Sequence, residues 1–192
     1  MRKLIVALAV VVMCGGNAFA GPFGTNMGDT VDKYQNITVS GKNKDNFISQ
    51  SVPKPHSDFE NYLFTFSPQH GLVKISGITK SIHNDAYGIN VKSLFKKLYD
   101  QINSKYGIGK KNDFIMNGSV WKEDKYWTMG LYKEERILTA FWNPKDNKDN
   151  IESIMLKTIA LSSDSSLILL SYEYTNFDKY IEEQKKNEQD SL

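Results

Sequence analysis

Aromatic residues stand at every second position early in the chain, where Tyr62, Phe64 and Phe66 alternate with other side chains. Such a two-residue period places all three rings on one face of a β-strand. The turn-forming residues 67–71 follow, and residues 72–78 are again largely apolar. The pattern therefore predicts a β-hairpin.

A helical period follows the hairpin. Six apolar residues recur at steps of three or four, and most of the lysines in this stretch fall between them. This spacing predicts an amphipathic helix with one apolar stripe and a lysine-rich outer face. Gly107 and Gly109 stand where a helix stop is expected. The apolar positions are Val91, Leu94, Phe95, Leu98, Ile102 and Tyr106.

The C-terminal half contains four strand candidates, separated by short polar segments that suit antiparallel neighbours. The candidates are residues 126–132, 136–142, 151–161 and 167–175. The run from Leu167 to Leu170 is continuously apolar, which predicts a central strand buried on both faces. Residues 177–189 are predicted to form a short helix with a frayed, charged end.

The mature N-terminus begins with a glycine-rich stretch, residues 21–28, which is expected to be a flexible tether. Asp29 is expected to cap a short helix through Val31 and Tyr34, because a carboxylate accepts the free amides of a first turn.

The order of these elements predicts the α+β class. We expect a mostly antiparallel sheet, made of a hairpin and a four-strand meander, packed against one long amphipathic helix with short helices at both ends. The sequence shows no internal repeat and no linker, so residues 21–192 are predicted to form a single domain.

Residues 1–20 have the features of a secretory signal peptide. Arg2 and Lys3 form a positive start, and an unbroken apolar run from Leu4 to Met13 follows. That run is too short to span a bilayer comfortably. Small residues at Ala18 and Ala20 form a signal-peptidase recognition sequence, which predicts cleavage after Ala20.

The chain has a single cysteine, Cys14. Cleavage after Ala20 removes it, which excludes disulfides, cysteine–zinc sites and a thiol nucleophile from the mature chain. A lipid anchor at Cys14 is an alternative, but Met13 stands where lipoprotein signals have a small residue.

Composition limits the class of partner. The 192 residues include 24 basic and 22 acidic side chains, and without the signal 22 of each remain. A formally neutral chain lacks the basic footprint of nucleic-acid-binding proteins. An apolar content of 40% is too high for a disordered protein.

Candidate chemistry is sparse. His56 with Asp58 and His83 with Asp85 form two His-x-Asp pairs, which together could assemble a hydrolase or metal site. The sequence has no His-Glu-x-x-His motif and no Gly-x-Ser-x-Gly nucleophile elbow. We therefore predict no catalytic residue, metal or cofactor, and keep a small exported hydrolase with a His/Asp-based site as the alternative.

Aromatic and basic residues crowd into residues 121–142. Large rings near an exposed sheet face or loop often form recognition surfaces, although core packing is the simpler explanation for them. Trp121, Tyr126 and Arg136 are the predicted binding residues.

The mature start, Gly21-Pro22-Phe23-Gly24-Thr25-Asn26-Met27-Gly28, contains a Phe-Gly and a Met-Gly segment. It resembles the opening of small exported bacterial proteins of unknown function. The Gly71-Leu72-Val73-Lys74 strand start and the Lys105-Tyr106-Gly107 helix end are also similar to theirs. The resemblance implies an α+β exported domain and supplies no catalytic residues.

These observations together predict an exported protein, periplasmic or secreted, without a transmembrane segment after signal cleavage. Its predicted function is that of a non-catalytic binding module for an unknown protein or cell-envelope component.

Overall fold

A computed structural model describes residues 21–190 of the chain. The predicted signal peptide, residues 1–20, lies outside the described residues. The same holds for its recognition residues Ala18 and Ala20 and for Cys14.

Nine β-strands and three α-helices occupy the described part of the chain. The strands are β1 (Thr38–Val39), β2 (Asn46–Ser49), β3 (Phe59–Ser67), β4 (Gly71–Thr79), β5 (Ile82–His83), β6 (Lys110–Ile115), β7 (Arg136–Trp142), β8 (Ile151–Ala160) and β9 (Ser165–Tyr174). The helices are α1 (Ile89–Tyr106), α2 (Trp127–Tyr132) and α3 (Phe177–Asp190). Short 3-10 turns lie at Pro22–Gly24, Val31–Lys33, Asp124–Tyr126 and Lys145–Asn150.

All strands belong to one antiparallel sheet, in the order β1-β2-β3-β4-β9-β8-β7-β6. The first four strands follow one another, and α1 then leads the chain to the far end of the sheet, at β6. Strands β6 to β9 return in sequence order until β9 pairs with β4. Strand β5 also pairs with β9, beyond the end of β4.

The hydrophobic core lies between α1 and one face of the sheet, which we call the inner face. Val91, Phe95, Leu98 and Ile102 of α1 are buried because their three- and four-residue spacing puts them on one side of the helix. They belong to the same buried cluster as alternate residues of the strands. Those inner-face residues include Tyr62, Phe64, Phe66, Ile75, Leu138, Ala140, Trp142, Ile154, Leu156, Ile168, Leu170 and Tyr172.

The predicted α+β class with an antiparallel sheet is confirmed. The sheet differs in detail, because within residues 21–190 it has nine strands instead of the six predicted and includes β1, β2, β5 and β6, which were not predicted. The C-terminal helix α3 has 14 residues, so α1 is not the only substantial helix.

The prediction of a strand at residues 126–132 is wrong. These residues form the end of a 3-10 turn and the helix α2. Trp127 and Leu131 stand four residues apart and both point into the core. Packing at this helical spacing therefore overrides the strand preference of the aromatic residues.

Strand β6 was not predicted from the sequence. Gly107 ends α1 as expected, with its amide donating to the Asn103 carbonyl, but a strand begins three residues later. The β6 sequence Lys-Lys-Asn-Asp-Phe-Ile shows no alternation, because both its faces are largely exposed at the end of the sheet.

Asp29 does not cap a helix as predicted. Thr30 precedes the 3-10 turn Val31–Lys33 and makes no side-chain cap. The Asp29 carboxylate instead accepts hydrogen bonds from the Asn26 amide at 2.9 Å, the Tyr34 hydroxyl at 2.8 Å and the Lys33 ammonium at 2.6 Å. Burial alone would raise the pKa of Asp29, but these hydrogen bonds and the charge of Lys33 outweigh it and lower the pKa.

Replacing Asp29 by asparagine is expected to destabilise the protein by about 1–3 kcal/mol at pH 7, since the hydrogen bonds to the charged group are lost or weakened. Because the folded pKa is lowered, this stabilisation is complete above the ordinary carboxyl pKa. It disappears as the pH falls through the lower, folded value. Urea unfolding at pH 7 and near pH 3 measures the difference, with Asp32→Asn on the same turn as the control. A loss that is equal at both pH values would contradict this assignment.

Candidate functional site

The face of the sheet opposite α1, which we call the outer face, carries an apolar surface that remains partly exposed. On β9, Ile168 and Leu170 are buried in the core, whereas Leu167 and Leu169 point the other way and are only partly buried. The predicted burial of this strand on both faces is therefore wrong. Alternate residues of this apolar run are packed in the core, and the residues between them are partly exposed on the outer face.

Neighbouring strands extend this open surface in three rows across the sheet. The first row is apolar. In it, Phe114 of β6 pairs with Ile137 of β7, and Ile159 of β8 pairs with Leu167 of β9. A polar row follows, and a second row pairs Phe141 with Met155. The polar row runs through Asn112, Thr139 and Lys157.

A groove of about 720 Å³ lies on this surface. Its lining comes from β6, β7, β8 and the C-terminal end of α2. Three aromatic lining residues are unusually open, with exposed fractions of 49% for Phe114 and 43% for both Phe141 and Tyr132. We call this lining, together with Leu167 and Leu169, the outer-face groove.

Both signs of charge occur at the groove. Lys157 is exposed on the outer face, and Arg136 and Glu134 also line the groove. The arrangement therefore offers apolar contacts on two sides of a polar row, with a small excess of positive charge.

The predicted binding residues Trp121, Tyr126 and Arg136 lie around α2. The Trp121 and Tyr126 rings meet edge to face, with centroids 5.6 Å apart. The Cβ atoms of Trp121 and Arg136 both lie 3.4 Å from the position that a Cβ on Gly130 would take. The structure thus brings the three residues together, but only Arg136 lines the outer-face groove.

Arg136 also has a packing role on the core side. Its guanidinium carbon lies 5.7 Å from the centre of the Trp127 ring, and the Lys92 ammonium lies 4.5 Å from the same centre. Burial lowers the pKa of Lys92, and the positive charge of Arg136 lowers it further. Trp127 therefore contacts two cations, a favourable arrangement for its electron-rich ring.

The groove residues Phe114, Phe141, Tyr132 and Met155 were not among the predicted binding residues. A sequence feature that indicates this surface is the presence of apolar residues at both odd and even positions of one strand, as with Ile137 and Leu138 on β7. Such a strand has two apolar faces, and a single helix covers only one of them.

The four residues of the alternative hydrolase site do not form one cluster. His56 accepts the Asp58 amide through Nδ1, and the Asp58 carboxylate binds the Lys97 ammonium. Asp85 accepts the Tyr87 and Ile89 amides at the start of α1, and His83 lies on β5. Within residues 21–190, no group of three or more His, Cys, Asp or Glu residues is placed to hold a metal ion.

Between residues 21 and 190, each helix is too short or too polar to cross a membrane. The chain matches no protein-family model, no curated protein and no solved structure.

Proposed function

We propose that this chain is an exported, non-catalytic binding module and that the outer-face groove binds its partner, a protein or a cell-envelope component. The observation that supports this most directly is the apolar outer surface of β6–β9. Contiguous exposed apolar surface rimmed by polar residues is typical of interaction sites.

The groove favours a partner with a particular chemistry. Covering Phe114, Phe141 and Met155 would remove apolar area from water, which is the main favourable contribution to most association. Lys157 lies between these apolar rows and offers a counter-charge. The proposed partner therefore presents apolar groups flanking an acidic or hydrogen-bonding group.

Trp121 and Tyr126 are proposed to extend the contact beyond the groove. They lie next to Arg136 around α2, and aromatic and arginine side chains often contribute most to interface affinity.

Export is part of the proposal and rests on the sequence of residues 1–20 and on the resemblance to small exported bacterial proteins. A periplasmic or secreted location would bring the groove into contact with envelope components.

A photoreactive amino acid at position 141 tests the proposed contact. In intact cells, the probe at Phe141 is expected to give a discrete adduct whose mass differs from twice that of the chain. The control is the same probe at Lys96, which is highly exposed on α1. Adducts that are absent at both positions, or identical at both, would contradict a partner at the outer-face groove.

A further inference from the structure

Strand β6 ends the sheet, so one of its edges pairs with no other strand of the described chain. The Met116 amide donates to the Glu135 carbonyl, in the register that continues the β6–β7 pairing. Bonded residues recur at every second position of an antiparallel ladder, so the even-numbered residues of β6 bond to β7. The amides and carbonyls of Lys111 and Asp113 therefore point to the open edge.

We propose that this edge binds β6 of a second copy of the chain. The two β6 strands would run antiparallel and be related by a two-fold axis. The pairing would join the two sheets edge to edge. Because the axis of such a pair is perpendicular to the sheet, both outer-face grooves would lie on the same side of the dimer.

The charges on the strand favour one register. Only the odd-numbered residues, whose backbone groups point outward, can exchange hydrogen bonds across the new interface. Odd-numbered residues must therefore stand opposite odd-numbered residues, and this places the two-fold axis between the two copies of a single β6 residue. An axis at Lys111 or at Asp113 would place like charges opposite each other, which is unfavourable. An axis at Asn112 places each Lys111 opposite Asp113 of the other copy.

The same register matches two exposed apolar residues. Ile108 and Met116 each stand four residues from Asn112, so the axis at Asn112 brings Ile108 opposite Met116 of the second copy. Ile108 is 92% exposed and Met116 is 47% exposed in the single chain. Charge and apolar contacts thus favour the same arrangement independently.

The ladder is short, which makes the dimer reversible. The Gly109 amide donates to the Asn103 side chain, and its carbonyl accepts from the Tyr99 hydroxyl. These bonds leave Gly109 unable to pair with Ile115 of the second copy, so the backbone contact is limited to Lys111 and Asp113.

Charge reversal tests the register. In sedimentation equilibrium of the purified protein, the wild type is expected to dimerise reversibly. Lys111→Glu and Asp113→Lys are each expected to raise the dissociation constant of the dimer by about tenfold, because each places like charges opposite one another twice. An equimolar mixture of the two variants restores opposite charges at both positions and is expected to dimerise as the wild type does.

Two further variants separate this interface from other effects. Lys110→Glu changes the net charge equally but lies on the other side of the strand, so it is expected to leave the Lys111–Asp113 pairing intact. Ile108→Ser is expected to weaken the dimer without a change of charge. Asp113→Lys removes a contact with Arg136, and if that variant fails to fold, Ile108→Ser still tests the register. A wild type that stays monomeric at the highest attainable concentration would overturn the proposal. So would single variants that dimerise as the wild type does, or a mixture of folded variants that associates no better than either alone.

Discussion

Replacing Gly88 by alanine is expected to lower the free energy of unfolding by about 3–5 kcal/mol. Gly88 precedes α1 with a φ of +66°, in the left-handed region that alanine avoids. A Cβ on Gly88 would lie 2.2 Å from the Trp127 ring. Trp127 is almost fully buried, so the ring has no open space into which to move.

Two controls separate the clash from the backbone strain. Gly107 also has a positive φ, of +88°, but nothing lies within 4 Å of its Cβ position. Gly107→Ala is therefore expected to cost only about 1–2 kcal/mol. In a Trp127→Ala background, Gly88→Ala should cost a similarly small amount, because the two sites are coupled. Urea unfolding measures all four variants, and equal losses for the two glycines would contradict the proposed contact.

Replacing Trp142 by alanine is expected to cost about 3–5 kcal/mol. Trp142 is buried on β7, its Nε1 donates to the Asn103 side chain at 2.8 Å, and its ring lies 5.4 Å from that of Tyr99. The same Asn103 oxygen accepts the Gly109 amide. Trp142 thus connects β7 to the end of α1 and to the segment that leads into β6.

Trp142→Phe is the matched variant, since it keeps much of the apolar volume and removes the hydrogen bond. We expect it to cost about 1–2 kcal/mol. Amide exchange in β6 should accelerate more in the alanine variant than in the phenylalanine variant. If both variants unfold at the same urea concentration as the wild type, Trp142 does not connect these elements.

Local periodicity predicts the elements that have one buried face and one polar face. The apolar stripe of α1 is such a case, as is the alternation of Tyr62, Phe64 and Phe66. Periodicity fails at α2 because its aromatic residues, Trp127 and Tyr132, favour strands, whereas the burial of Trp127 and Leu131 four residues apart holds the segment in a helix. It fails at β6 because an edge strand has no need for an apolar face on either side.

The candidate site was harder to predict, for a related reason. Leu167 and Leu169 continue the apolar run of β9, so the sequence alone suggests burial that the fold does not provide. The face that α1 covers is set by its contacts with β8 and β9, strands that lie far from the helix in the sequence. The aromatic residues at 121–142 divide between the core, as Trp127 and Trp142 do, and the surface, as Tyr132 and Phe141 do.

The outer-face groove is proposed to be open in the free protein and covered by a partner in the cell. Met155 lies in the middle of this surface, two strands away from the proposed dimer edge, so its oxidation reports on the groove. The internal reference is Met27 in the N-terminal segment, whose sulfur accepts a hydrogen bond from the Thr175 hydroxyl directly after β9. We predict that Met155 is oxidised readily in the purified protein and is protected several-fold, relative to Met27, in intact cells. Equal oxidation of Met155 in both settings would contradict the claim.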